Sequence, residues 1–310
     1  MGKDDRILIT GGSGVVGYAL LKVLRENGYK NIVSISSKDY DLTVYERTLE
    51  LFAKYKPVYV FHLAGRVYGI MGNMKNKSLS YIDNIRINTN VLEAARIVNV
   101  KKIIAMSTGA VYPYPPKRLP LKEEDMWEGY PHPSEDTYAI AKRVMDVQLR
   151  AYNREYGLEY AYVISSNLYG PHDRFNEHFG HVIPSLISKF YRAKLKGDDV
   201  VVWGDGSARR DFLFSYDAAK ALLLIMEKFK GEINLGSGVV YSIKEVVDTL
   251  SKITGVTNIK WDRTKPNGQE YRAYDLSKLN SIGFKPQYPL EKGLKITWDW
   301  FCENQDRIRN

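Results

Sequence analysis

Four glycines fall within seven residues, Gly11-Gly12-Ser13-Gly14-Val15-Val16-Gly17, between a strand-length run, Arg6–Thr10, and an amphipathic segment, Val15–Asn27. A turn without side chains between a strand and a helix lets the backbone approach a pyrophosphate. The anion then rests against the free N–H groups and positive end of the helix. The last glycine lets helix and strand pack closely. This order of elements predicts dinucleotide binding, with Gly11, Ser13, Gly14, Val15, Val16 and Gly17 as candidate cofactor contacts.

The rest of the first half repeats the alternation. Asn31–Ser36, Val58–Leu63, Ile103–Ser107 and Tyr160–Ser165 are apolar runs of strand length, and Tyr81–Val98 and Thr137–Tyr156 carry helical periodicity. Nearly continuous apolar strands separated by helices imply a parallel sheet buried on both faces, hence a doubly wound α/β fold. Beyond Gly170 the texture changes. Asn167–Phe179 is rich in Gly, Pro, His and Asn, and Lys194–Asp199 reads as a charged turn. Short strands (Val200–Trp203, Asp211–Phe214, Glu232–Leu235) then mix with helices at Tyr216–Phe229, Ser242–Thr254 and Leu290–Phe301. The expectation is a dinucleotide-binding domain over 1–170 and a smaller α+β substrate domain over 171–310, some segments of which return to the first.

No uncharged run is long enough to span a membrane. The start, Met1-Gly2-Lys3-Asp4-Asp5-Arg6, resembles neither a secretory leader nor a myristoylation signal. The single cysteine, Cys302, excludes an internal disulfide and a cysteine-based zinc cluster, so no metal is expected and a reducing cytoplasm is the simplest home. The 45 cations against 36 anions are scattered rather than blocked, which suits a small polyanionic ligand at least as well as nucleic acid.

Tyr138 and Lys142 stand four apart in a helical segment and so share a face. A neighbouring ammonium favours a phenolate, so Lys142 is expected to lower the Tyr138 pKa toward working pH and make it a proton carrier for a carbonyl/alcohol pair. Thr108 follows the strand Ile103–Ser107, at the end of a parallel sheet where ligands bind. At the end of the second strand Ser36, Ser37 and Lys38 offer two hydroxyls and a cation, which favours NADP(H). Asp39 and Asp41 follow closely and keep NAD(H) open.

With these features in place the chain resembles the extended short-chain dehydrogenase/reductases. The resemblance rests on Thr10–Gly17, His62-Leu63-Ala64-Gly65, Asn84, Ser107-Thr108-Gly109-Ala110-Val111-Tyr112 and Tyr138/Lys142. Asn167–Asp173, His181–Pro184, Val201–Gly204, Arg210–Leu213, Lys265–Gly268 and Trp300–Gln305 narrow it to the GDP-L-fucose synthase branch, nearly end to end. The resemblance implies hydride transfer at carbon 4 of a GDP-linked 4-keto-6-deoxy sugar. Tyr138 would handle the proton, Thr108 the carbonyl, and Lys142 the cofactor ribose, with Leu63, Ala64 and Gly65 beside the cofactor. It further implies substrate contacts from Asn167, His181, Trp203, Arg210 and Lys265, and a homodimer built on Tyr81–Val98 and Thr137–Tyr156.

Two departures matter. The branch also epimerises carbons 3 and 5 with a cysteine base and a histidine acid; the histidine is His181, but the cysteine position is Ala110. Without a base a carbon acid cannot be deprotonated, so reduction without epimerisation is expected. Tyr68 stands where the branch has a small residue and would reshape the sugar pocket, for a hexose or a heptose. Three other readings stay open: oxidation of a GDP-sugar 4-hydroxyl with tightly held NAD, a bifunctional epimerase/reductase, and a non-enzymatic cofactor sensor or RNA-binding protein.

Overall fold

The computed structural model describes residues 1–67, 70–177, 180–265 and 269–308. In chain order its first half contains β1 (Ile7–Thr10), α1 (Val15–Glu26), β2 (Ile32–Ile35), α2 (Tyr45–Tyr55), β3 (Tyr59–His62) and α3 (Ile70–Lys75). There follow α4 (Lys77–Ile97), β4 (Lys102–Met106), α5 (Asp136–Tyr156), β5 (Glu159–Ser165) and β6 (Asn167–Tyr169). The second half contains α6 (Val182–Lys196), β7 (Val200–Trp203), β8 (Arg209–Phe214), α7 (Ser215–Lys228), β9 (Gly231–Leu235) and β10 (Val240–Ser242). The chain ends through α8 (Ile243–Thr254), β11 (Ile259–Asp262), β12 (Tyr271–Arg272), α9 (Ser277–Ser281) and α10 (Leu290–Glu303).

Six parallel strands form the main sheet in the order β2-β1-β3-β4-β5-β9. Side chains alternate across a strand, so Ile7 and Ile9 enter a core with α1 and α7, while Leu8 enters one with α2, α4 and α5. Both faces are covered, which is the doubly wound fold expected from the sequence. The strand order reverses direction between β1 and β3, and the carboxyl ends of those strands are where such sheets bind ligands.

The last strand of the main sheet comes from late in the chain. Its helix, α7, ends against a buried lysine: Lys102 Nζ donates to the carbonyl oxygens of Ile225 (3.0 Å), Met226 (2.6 Å) and Phe229 (2.6 Å). A cation at the carbonyl end of a helix satisfies orphan acceptors, and burial lowers its pKa to about 8. Apart from α9, whose Leu279 joins the core with α1 and α7, the remaining C-terminal helices pack around a separate apolar cluster that includes Phe190, Val246, Leu250, Leu294, Trp298 and Phe301. There β8 pairs with β6 and β12 in parallel and with β10 antiparallel, and β7 pairs with β11.

Among the segments read from the sequence, two differ in their bounds or type. Lys194–Lys196 is the last turn of α6, and the turn itself comes at Gly197, where φ is +73°. The helix α4 begins at Lys77, four residues before the expected Tyr81.

Candidate active site

The glycine turn is a cradle that side chains would fill. Gly11 has φ +73°, and a Cβ there would lie 2.8 Å from Ala64 N. A Cβ on Gly17 would collide with the Gly11 carbonyl oxygen and lie 2.7 Å from Gly12 Cα, so α1 can sit this close only on glycine. No side chain caps the N-terminus of α1 at Gly14. Backbone N–H groups with the helix dipole behind them are what a pyrophosphate needs. These residues therefore fit a dinucleotide.

A buried hydrogen-bond chain fixes this cradle to α5. Ala64 N donates to Thr10 Oγ1 (3.3 Å), which lies 2.8 Å from His62 Nδ1. His62 Nε2 faces Asn88 Oδ1 at 3.1 Å, and Asn88 Nδ2 donates to Ala141 O (3.4 Å). Because the Asn88 amide nitrogen is committed to Ala141, its oxygen must accept from Nε2. His62 is thus neutral, with Nδ1 accepting from Thr10. Burial, then the Lys142 charge, lowers its pKa to about 3.

Along α5 the residues Tyr138, Lys142 and Asp146 repeat every four positions on the buried face. Below them Arg150 Nε bridges Asp146 Oδ2 (2.9 Å) and Glu232 Oε1 (3.0 Å), which ties α5 to β9. Tyr162 OH donates to Lys142 O (2.9 Å) and lies 2.6 Å from Ser107 Oγ, which donates to it. Above, Tyr138 and Lys142 reach a cleft of about 210 Å³. Its lining also includes Val15, Val16, Leu63, Gly65, Thr108, Asn167 and His181. One cavity therefore joins the cofactor turn to all four residues expected to carry the chemistry.

The electrostatics correct one expectation. Tyr138 is pushed up, not down, first by burial and then by the Glu135 carboxylate. Lys142 Nζ lies 6.0 Å from the phenol ring centroid and donates to Met106 O (3.0 Å); burial lowers its own pKa to about 8. In a low dielectric, phenolate and ammonium are both costly, and burial is the largest cause of both shifts. The Tyr138 phenol therefore keeps its proton. Thr108 Oγ1 accepts from Ala110 N (3.2 Å), which leaves its own proton to offer.

The other candidates lie at varying distances from this cleft. Ser36 donates to Asp39 Oδ2 through both N (2.7 Å) and Oγ (2.8 Å), so its hydroxyl is turned into the loop, while Ser37 and Lys38 are exposed. A larger cavity of about 580 Å³ lies alongside, between β2 and α2, lined by Asp39, Asp41, Arg47, Glu50 and Lys54. Trp203 sits outside the cleft, with Lys189 Nζ at 5.8 Å and Lys265 Nζ at 6.0 Å from its ring. Arg210 is also outside the lining, but it pairs in register with Arg272, which is in it. Burial, then the Arg272 charge, lowers Arg210 to about 10. Sequence reading missed Arg272, Tyr274 and Glu135, all in the lining. Tyr68 and the segment 266–268 lie outside the described residues.

A doubly wound sheet with a glycine-lined cofactor turn and a Tyr-x-x-x-Lys cleft defines an extended short-chain dehydrogenase/reductase. The chain belongs to the NAD dependent epimerase/dehydratase family, whose family model matches residues 7–236. It is similar to GDP-L-fucose synthase of Dictyostelium discoideum, with 36% identity over 98% of this chain and 97% of the relative. Among solved structures it resembles a GDP-L-fucose synthetase from Naegleria fowleri bound to NADP, with TM-score 0.93, 34% identity, and 100% and 98% of the two chains covered. It also resembles MlghC, a GDP-mannoheptose C4 reductase from Campylobacter jejuni with NADP bound, at TM-score 0.88 and 28% identity, covering 97% and 99%.

Proposed function

We propose that this protein reduces carbon 4 of a GDP-linked 4-keto-6-deoxy-hexose or -heptose with NADP(H), without epimerising carbons 3 and 5. One observation carries the reading: Thr108, Tyr138, Lys142 and the cofactor turn border a single cleft, while Ala110, two residues after Thr108, offers no base. When bound, NADP(H) supplies the hydride. The 2′-phosphate falls to Ser37 and Lys38, and the pyrophosphate to Gly11, Ser13, Gly14, Val15, Val16 and Gly17, beside Leu63, Ala64 and Gly65.

Thr108 donates to the keto oxygen and polarises it. As carbon 4 gains its hydrogen the C=O π pair moves to oxygen, and Tyr138 gives that oxygen a proton. A phenol kept protonated by burial suits this direction better than oxidation, which needs a base. Lys142, anchored on Met106, positions the ribose and stabilises the phenolate left behind. Asn167 holds the substrate near the reacting carbon. Arg210 and its register partner Arg272 offer guanidinium forks to the pyrophosphate, and Trp203 and Lys265 take the outer part of the nucleotide. The test is mass spectrometry and NMR of products from a panel of GDP-4-keto sugars with NADPH or NADH. Tightly held NADH after purification would favour oxidation instead.

His181 borders the cleft at the start of α6, and in this reading orients the sugar. In deuterated water without reductant the 4-keto substrate should gain no deuterium at carbon 3 or 5, and Ala110→Cys should introduce exchange. Rapid exchange by the wild type would restore the epimerase.

The proposed assembly is a homodimer in a reducing cytoplasm, with neither nucleic acid nor membrane as partner. Among the described residues no helix is long and apolar enough to cross a membrane. Leu79 and Ile82 on α4 and Val144 and Val147 on α5 are exposed, Val147 by 53%, and α4 packs along α5. Such an apolar surface fits an isologous interface. Sedimentation should give twice the chain mass for the wild type and a monomer for Val144→Asp/Val147→Asp; a monomeric wild type would sink the assignment.

A further inference from the structure

Tyr274 reaches the cleft from far along the chain. It follows β12 and is held through its backbone, where Leu121 N donates to Ala273 O (2.9 Å) and Asp275 N to Leu121 O (2.8 Å). Asn234 Nδ2 clamps both strands of this contact, donating to Leu121 O and Asp275 O (3.0 Å each). The ring is tilted against Tyr112 with centroids 6.0 Å apart, and only 7% of the residue is exposed. Its hydroxyl lies where a side chain on Gly109 would be: a Cβ there would overlap the hydroxyl oxygen and lie 2.9 Å from Cζ. Gly109 is thus glycine to admit a phenol.

A buried phenol needs partners for its oxygen and its proton. Arg272 lines the same cleft and its charge acts on the Tyr274 hydroxyl, but a guanidinium can only donate and so offers that hydroxyl no acceptor. Among the described residues no acceptor for the Tyr274 proton is found. Burial raises the Tyr274 pKa, so the hydroxyl is a donor and not a base. It cannot replace the missing epimerase base at Ala110, but it can read an oxygen.

We propose that Tyr274 is a specificity-determining residue whose hydroxyl donates to the hydroxyl on sugar carbon 3. The inference rests on the reading of the cleft as a GDP-sugar 4-reductase. Thr108 and Gly109 are consecutive, with Cα atoms about 3.8 Å apart. A donor lying on Gly109 therefore stands beside the group that Thr108 holds, and on the ring the polar neighbour of the carbon-4 oxygen is the carbon-3 hydroxyl. A site built to bond a hydroxyl penalises a substrate lacking it, because the site's buried polar group is then left unpaired.

The test compares kcat/KM for a GDP-4-keto-6-deoxy-hexose and its 3-deoxy analogue, in the wild type and Tyr274→Phe. The wild-type preference for the 3-hydroxy substrate should fall roughly tenfold in the variant. The loss should appear as raised KM, with melting temperature, NADPH affinity and GDP affinity kept. Gly109→Ala, which displaces the hydroxyl, should lose the same preference and add little in the double variant. Equal loss on both substrates, or none, overturns the inference while leaving the 4-reductase reading intact. A wild type that reduces no GDP-4-keto sugar overturns that reading and the inference with it.

Discussion

Tyr138→Phe should lower kcat for reduction of the 4-keto sugar by roughly 10²–10⁴-fold, the range for losing a positioned proton donor, while NADPH binding stays near wild type. The change removes one oxygen from a side chain that is 7% exposed, so fold and cleft shape should persist. The developing alkoxide then has Thr108 as its hydrogen-bond donor, but no phenol to give it a proton. A full pH profile sharpens the test. Burial and Glu135 hold the wild-type phenol above its ordinary value, so reduction should show no loss of rate from Tyr138 ionisation across neutral pH. Single-turnover measurement with bound NADPH separates chemistry from binding; a variant that keeps its rate would remove Tyr138 from the mechanism.

What the sequence made legible follows from how local each feature is. The cofactor turn could be read because strand, glycines and helix are consecutive, and its steric logic at Gly11 and Gly17 needs only neighbours and the adjacent β3 end. Tyr138 and Lys142 could be paired because helical spacing alone places them on one face. The sign of the Tyr138 shift could not be read. Proximity of an ammonium is a local fact, whereas burial depends on β4, β5 and the C-terminal segments closing over the helix. Arg272 and Tyr274 were hidden for the same reason: a strand of two residues delivers them, and its register opposite Arg210 is a tertiary fact. Lys102 opens a strand and would ordinarily be given to solvent, yet it caps a helix at Ile225, 123 residues later. The helix α6 does carry an apolar stripe, Ile183, Leu186, Ile187 and Phe190, but Pro184 in its first turn and the glycine-rich segment before it obscured the start. Proline is tolerated there because the first-turn N–H groups lack partners anyway.

Gly17→Ala should lower NADPH affinity by about 10²-fold, the size of effect expected when an ångström-scale misplacement spoils a positioned group. The added methyl meets backbone on every side: the Gly11 carbonyl oxygen, Gly12 Cα at 2.7 Å and Gly12 C at 2.9 Å. Side chains can rotate away from a new neighbour, but these atoms belong to the turn itself. Either α1 lifts from β1 or the turn opens, and both move the helix N-terminus proposed to face the pyrophosphate. Because Gly12 N also donates to Ile35 O (2.8 Å), a displaced turn drags the end of β2, where Ser37 and Lys38 are proposed to meet the 2′-phosphate. Affinity for NADPH should therefore fall more than affinity for GDP, which is proposed to bind through the C-terminal elements. Titration of cofactor fluorescence and of GDP by calorimetry on the same preparation reads both numbers. If Gly17→Ala bound NADPH like the wild type, the turn would not be the pyrophosphate cradle; if both ligands weakened alike, the lesion would be global unfolding rather than a displaced α1.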